Sequence, residues 1–393
     1  MRFKKSLFIA GLLAIYTLTT QGQTGAAGMA ATVMRIWKDS LVLHPGTPVK
    51  WTYDEGVVLE GFTGLWKRTN DQQYFRYMQQ RMDFFVADNG DIRTYRQKDY
   101  NIDNIKNGRV LLTLYKATGN SKYCVAAAQL REQLRGQPRT HDGGFWHKQR
   151  YPYQMWLDGL YMGEPFYAEY AALFHEDSAF RDITRQFVLM ETHARDTATG
   201  LLYHAWDESR EQRWANKSTG QSPHFWGRAM GWYAMALVDA LEYYPAGDPG
   251  RDSLIAILHR TAAAVKKYQD AKTGCWYQVL DKASSKGNYV EASASCMFVY
   301  ALAKGIRLGY LPAAYKQVAT KGYAGILKQF IRKNNNTGDI TLGGTVSVAG
   351  LGGEPYRDGS YEYYLSEKVI DNDPKGVGAY LLAANEMEMM TKK

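Results

Sequence analysis

The chain has 393 residues, 45% hydrophobic and 22% charged, the balance of a globular protein rather than a disordered one. Its formal net charge is +9, and removing three positive charges near the amino terminus leaves +6. That excess is compatible with an anionic substrate, but no block of Lys and Arg tracks a phosphate backbone, which argues against nucleic acid as a partner.

The first residues read as a secretory signal over 1–22. Arg2, Lys4 and Lys5 precede an apolar run from Leu7 to Leu18, and Thr19 to Gln23 turns small and polar. The run is shorter than the ~20 residues needed to span a bilayer, and no Cys near the cleavage region offers a lipid anchor. The expectation is an exported protein, periplasmic or extracellular, with no membrane insertion once the signal is removed. Cys124, Cys275 and Cys296 are odd in number and lack CxxC spacing, which excludes a dense disulfide framework. Cys124 and Cys296 read as small buried helix residues.

Length alone would divide the remainder into two or three domains of about 150 residues. A recurring signature argues instead for one domain over 23–393. Gly followed by alternating apolar or aromatic residues appears at Gly90, Gly144, Gly200, Gly274 and Gly338, each between two helical patterns. These pieces read as helix ends or short extended turns. The helices between them are of two kinds. Asp252 to Gln269 is amphipathic, with Leu254, Ile257, Leu258, Thr261, Val265 and Tyr268 on one stripe. Phe225 to Leu241 is apolar nearly all round, and Gly227 and Gly231 within it imply a close approach, since each costs about 1 kcal/mol against Ala. Alternating half-exposed and buried helices predict an all-α fold, an (α/α)6 barrel or six-hairpin toroid with short extended segments in its loops. An open helical solenoid is the competitor, with a shorter and more uniform repeat. The Gly- and Thr-rich stretch from Asn334 to Gly353 is expected to form a small β-hairpin or a loop over the barrel mouth.

Inner-helix starts in such a barrel face one mouth. The candidates there are Tyr53, Asp54 and Glu55, Asp103, Trp156 with Asp158, His224 with Trp226 and Arg228, Glu291 and Asp358. Aromatic faces stack on sugar rings, and carboxylates and Arg bind hydroxyl and acidic groups, so the pattern favours a carbohydrate pocket. Asp158, in WLDGLYMGEPF, reads equally as a helix cap or as a proton donor shielded by Trp156 and Tyr161. Asp103 has the same two readings. His204, in LLYHAWDES, is a loop His that can be structural or a site residue. Arg228, in an otherwise apolar helix, needs an anion, either a protein carboxylate or a substrate's. His141, His147, His204 and His224 lack metal-ligand spacing, and neither GxSxG nor a P-loop is present, leaving Asp and Glu as the available catalysts.

The runs WLDGLYMGEPF, HAWDES, WANKSTGQSPHFWGRAMGWYAMALVD, YVEASASCMFVYAL and NDPKGVGAYLLAANE resemble glycoside hydrolase family 105, from about Trp51 to Glu388. These are the unsaturated rhamnogalacturonyl hydrolases, related to the family 88 unsaturated glucuronyl hydrolases. The resemblance implies an (α/α)6 barrel without cofactor or metal. It implies as substrate an acidic oligosaccharide bearing a 4,5-unsaturated uronic acid at its non-reducing end, with pectin fragments as the default source. Asp158 matches the general acid/base that hydrates the C4=C5 vinyl ether, and Asp103 matches a second pocket carboxylate. His147, Trp156, His204, Arg228, Trp226 and Trp232 fall where the family lines its pocket. An inverting glycosidase or polysaccharide lyase on the same barrel, and a non-catalytic sugar-binding scaffold, are the alternatives.

Overall fold

The computed structural model describes residues 25–38 and 48–391, so the expected signal over 1–22 lies outside the described residues. After α1 (Ala26–Ile36) the chain alternates between an inner and an outer position. The pairs are α2 (Tyr53–Thr69) and α3 (Gln72–Phe85), α4 (Gly108–Thr118) and α5 (Ser121–Gly136), and α6 (Leu157–Phe174) and α7 (Ala179–Ala194). Then come α8 (Gly227–Leu241) and α9 (Pro249–Lys267), followed by α10 (Ala292–Arg307) and α11 (Lys316–Gln329). A short α12 (Tyr361–Ser366) leads to the last inner helix, α13 (Pro374–Thr391).

The ring closes. Helix α2 packs on α4, α4 on α6, α6 on α8, α8 on α10, α10 on α13, and α13 returns to α2. The sixth outer position is taken by α1, which buries Met29, Ala30 and Val33 and packs on α13 and α2. The toroid is therefore completed by joining the two ends of the chain, which an open solenoid would not do.

The two kinds of helix are sorted by this ring. Every residue of α8 is buried, because neighbours cover all its sides. Helix α9 buries only the stripe of Leu254, Ile257, Leu258, Thr261 and Val265 with its small neighbours, leaving a charged face outside. The two glycines of α8 meet α10 closely: a Cβ on Gly227 would lie 3.2 Å from the Ala294 Cβ, and one on Gly231 would lie 2.9 Å from the Met297 Cβ. A methyl group at Gly231 would force a shift of Met297, and one at Gly227 would require its neighbours to give way.

The recurring glycines mark turns rather than helix ends. Each turn follows an outer helix by several residues, and most fold the chain back into a short antiparallel bridge or ribbon, as in Val86 with Ile92 and Arg195 with Leu202. Gly90, Gly200, Gly274 and Gly338 have positive φ, as the turn demands, whereas Gly144 does not. At two of them an Asp and a Thr lock the turn: Thr199 and Thr273 hydroxyls donate to Asp196 and Asp270, each at 2.6 Å.

Among the described residues, three two-stranded antiparallel ribbons complete the loops: β1 (Gln154–Trp156) with β2 (Ala205–Asp207), β3 (Ile331–Lys333) with β4 (Ile340–Leu342), and β5 (Thr345–Val346) with β6 (Val369–Ile370). The turn of the expected hairpin falls inside 334–353, while its first strand begins earlier, at Ile331. Cys275 and Cys296 are buried, Cys124 is half-buried, and all three are free thiols. Among the described residues no helix is long and apolar enough to cross a membrane.

The inner helices run parallel, so their starts share one end and their ends the other. Away from that first end, the carboxyl-terminal halves of α6, α8 and α10 join Glu60 of α2 and Arg109 of α4 in a self-compensating ionic cluster. Asp239, wholly buried, accepts from Lys304 at 2.6 Å, from Tyr300 at 2.6 Å and from Arg109 at 2.9 Å. Arg109 also reaches Glu60 and Glu169. A cavity of about 250 Å³ opens beside this cluster, with its charged walls largely paired to one another.

Candidate active site

At the opposite end the starts of the inner helices bring the sequence candidates together. Five of the expected positions are helix starts or lead into one: Tyr53, Asp103, Asp158, Arg228 and Glu291. The sixth inner helix starts beside Asp373, which pairs with Lys375 at 3.0 Å. Asp358 is corrected: it is exposed, and it precedes the short α12 instead, where its side chain accepts the Ser360 amide at 2.9 Å.

Asp158 lies in the first turn of α6 but does not cap it. The cap position belongs to Trp156, which has no side-chain capping bond. The Asp158 carboxyl is instead turned toward His204, with Oδ2 3.1 Å from Nε2. The approach is out of line for a straight hydrogen bond, and neither atom has another hydrogen-bond partner among the described residues. His204 is wholly buried, and its Nδ1 is 2.8 Å from the Tyr364 hydroxyl. Ribbon β1–β2 explains the meeting: pairing Trp156 with Ala205 sets His204 beside the start of α6, and the Leu157 amide donates to the His204 carbonyl at 3.1 Å.

Asp103 sits in a single 3-10 turn (Ile102–Ile105) capped by Asn101, whose side chain accepts the Asp103 amide. The cap reading of Asp103 is therefore corrected too: a residue two positions earlier does that work. The Asp103 carboxylate is instead held by Lys148 and lies 3.4 Å from His147 Nε2. Burial would raise its pKa, but the charges of Lys148 and His147 outweigh that and hold it below the usual carboxylate range. His147 is buried, and desolvation, stronger than the pull of Asp103, pushes its pKa down to about 4.

Aromatic rings connect the two carboxylates. Trp156 stacks on His147 with centroids 4.7 Å apart and meets His204 edge-on at 5.2 Å. Tyr151 stacks on the Trp156 ring as well, at 5.1 Å. Trp226 lies 4.8 Å from the His204 ring and stacks on Tyr364. Trp156 is buried and stacked between protein rings, where it braces His147 and His204. Tyr53 at the start of α2 is half-buried, and burial, with the charges of Asp54 and Asp103 added, pushes its phenol pKa well up. Tyr161 does not shield Asp158 in the way expected, because its ring stacks on Trp232 and its hydroxyl turns to Glu60. Trp232 goes with it, fully buried one turn deeper than Arg228 and apart from the carboxylates.

Arg228 resolves toward the protein-anion reading. Its Nε donates to the Ser293 hydroxyl at 2.9 Å, Nη2 donates to the Val346 carbonyl, and Glu291 Oε1 lies 3.6 Å away. Glu291 is wholly buried and also caps α10 through the Ala294 amide at 2.7 Å. The guanidinium lies 5.4 Å over the Trp226 ring, which ties it to His204. His224 stands at the rim, half-buried, near Tyr361 and Tyr364.

Sequence reasoning passed over Lys148 and Tyr364. Lys148 follows His147 in a stretch with no motif, and Tyr364 comes from a loop helix 160 residues beyond His204. A groove of about 490 Å³ lined by Arg96, Asp99, Asn101, Lys148, Gln149 and Arg150 adjoins Asp103 through Lys148. Among the described residues no cluster of three or more His, Cys, Asp or Glu has metal-binding geometry.

The site makes the fold acid-sensitive. His147 and Asp103 both have folded-state pKa values below their ordinary ones, so the unfolded chain binds more protons as the pH falls. The stability they contribute is complete above the unfolded values. It is lost first through His147, between about 6.5 and about 4, and then through Asp103. Urea titrations should show a loss on the order of 3 kcal/mol from His147 alone between pH 7 and 4, and His147→Gln should flatten that slope. A variant with the wild-type slope would remove His147 as its source.

Comparison with known proteins agrees with this geometry. The profile of Glycosyl Hydrolase Family 88 matches residues 27–391. A solved family 105 glycoside hydrolase from C. acetobutylicum ATCC 824 is 46% identical, superposes with a TM-score of 0.89, and the match covers 93% of this chain and 99% of that one. The unsaturated rhamnogalacturonyl hydrolase YesR of Bacillus subtilis (strain 168) is 27% identical over 78% of this chain and 84% of its own. The unsaturated glucuronyl hydrolase of Bacillus sp. GL1, 13% identical, shares the fold at a TM-score of 0.69 over 94% of this chain and 97% of that one. The chain belongs to glycosyl hydrolase family 88 and, with its 46%-identical structural relative, to glycoside hydrolase family 105, and it is a glycoside hydrolase built on an (α/α)6 barrel.

Proposed function

We propose that this hydrolase removes a 4,5-unsaturated uronic acid, of the galacturonyl type, from the non-reducing end of oligosaccharides left by a polysaccharide lyase. The observation that carries the reading is the asymmetry of the two carboxylates. Asp103 is fixed by Lys148, whereas Asp158 Oδ2 has no hydrogen-bond partner among the described residues and lies out of line with His204. One carboxyl is an anchor and the other is available for proton transfer.

In this reading Asp158 gives a proton to C4 of the vinyl ether, and water adds at C5 while returning a proton to Asp158. The hemiketal so formed opens and releases the neighbouring sugar. Asp103, with Lys148 and neutral His147 behind it, accepts hydrogen bonds from ring hydroxyls. The groove past Lys148 takes the rest of the oligosaccharide. Only one proton-transferring carboxyl is required, unlike the carboxyl pair of ordinary inverting or retaining hydrolysis. The similarity to YesR supports the substrate class, and the amino-terminal pattern of residues 1–22 supports export to the periplasm or medium.

Saturated and unsaturated oligosaccharides of the same composition, offered side by side, test the reaction type. Only the unsaturated ones should be consumed, with loss of their ultraviolet absorbance. Equal cleavage of the saturated set would assign an ordinary glycosidase instead.

A further inference from the structure

Tyr364 stands at the end of a short polar chain leading to Asp158. Its hydroxyl is 2.8 Å from His204 Nδ1, and His204 Nε2 is 3.1 Å from Asp158 Oδ2. Both rings are wholly buried, so water does not choose the tautomer of His204. The tyrosine is itself held in place. Its carbonyl accepts from Gln278 Nε2 at 3.0 Å, and Gln278 Oε1 accepts from Trp226 Nε1 at 3.1 Å.

A neutral imidazole carries one N–H, and either ring nitrogen can bear it. The Tyr364 hydroxyl has one proton to place and, among the described residues, no hydrogen-bond acceptor besides His204 Nδ1. A buried hydroxyl proton left without an acceptor is costly, whereas the oxygen tolerates having no donor. Burial, with the charges of Tyr363, Asp158 and Asp358 added, pushes the phenol pKa well up and keeps that proton on the oxygen. The hydroxyl therefore donates to Nδ1, and the ring proton is left on Nε2, the nitrogen 3.1 Å from Asp158 Oδ2.

We propose that Tyr364 is a positioning residue that fixes His204 as the Nε2–H tautomer, so that the N–H edge of the ring, and not a lone pair, lies beside Asp158 Oδ2 and the transferable proton rides on Asp158 Oδ1. The consequence is stereochemical. One oxygen of the carboxyl stays turned to His204 through the whole cycle, and the other both delivers the proton to carbon and recovers one from water. This rests on the reading of Asp158 as the proton donor, but its first test does not.

The test is the nitrogen spectrum of the whole protein with ¹⁵N-labelled histidine, with His204 assigned by its loss in His204→Gln. The expected result is an Nε2–H tautomer with an unprotonated Nδ1. An Nδ1–H tautomer or an imidazolium at neutral pH would overturn the inference while leaving the role of Asp158 untouched. In Tyr364→Phe the tautomer should no longer be fixed, and kcat should fall about tenfold, a fraction of the general acid–base contribution, with KM within about twofold. A Tyr364→Phe protein with the tautomer and kcat of the wild type would also overturn it. His204→Gln, whose amide can reach the Nε2 position, should retain more kcat than His204→Asn; the reverse order counts against the proposal. Should Tyr364→Phe fail to fold, the wild-type spectrum decides alone.

Discussion

Asp158→Asn is expected to lower kcat on the unsaturated substrate by about 10³-fold, the scale of a lost general acid–base group, with KM within a few-fold. The substitution is nearly isosteric and keeps an oxygen able to accept from His204, so the buried His204–Tyr364 pair is left intact. Asn cannot give a proton to carbon, and it cannot take one back from water. The fold has little stake in this side chain, because it does not cap α6 and its contact with His204 is out of line. Circular dichroism and the urea midpoint should match the wild type while the absorbance of the unsaturated sugar persists. Normal turnover by this variant would falsify the assignment of Asp158.

The barrel was legible in the sequence because its cause is periodic. Burial on all sides versus one side separates α8 from α9 by composition alone, and the five turn glycines pace the units. What the periodicity could not reveal was closure. The sixth outer helix is α1, at the other end of the chain from α13, and nothing local to Ala26–Ile36 says where it docks. The sixth inner helix was misplaced for a related reason. The segment around Asp358 begins a helix of only six residues, while the true inner helix starts after Asp373.

The site was legible in its residue types and less so in its geometry. Asp158, Asp103, His147, His204 and Arg228 all lie at the mouth. Their partners are set by pairings between distant segments: Lys148 on Asp103, Tyr364 on His204, and Val346 with Glu291 on Arg228. Reading the tryptophans as sugar platforms followed their chemistry, but Trp156 is buried and stacked on protein rings. Trp232 shows the same limit. One helical turn carries it below the mouth, where it supports Tyr161.

Asp103→Asn should lower kcat/KM by about 10²-fold through a different route, and comparison with Lys148→Met separates its two tasks. If Asp103 meets the substrate as an anion, Asn loses that charge and leaves Lys148 beside an amide. Lys148→Met keeps the carboxylate but removes the strongest influence lowering its pKa, leaving His147 as the nearer support. The acid limb of kcat/KM should then move to higher pH in Lys148→Met, with the plateau close to wild type. In Asp103→Asn the plateau itself should drop. The pairing is tight and partly buried, so the double variant should lose less than the two single losses combined. Additive losses, together with an unmoved acid limb in Lys148→Met, would show that Lys148 does not hold Asp103 ionised. The groove beyond Lys148 would then be its principal role, to be read from whether KM for longer oligosaccharides rises more than KM for disaccharides.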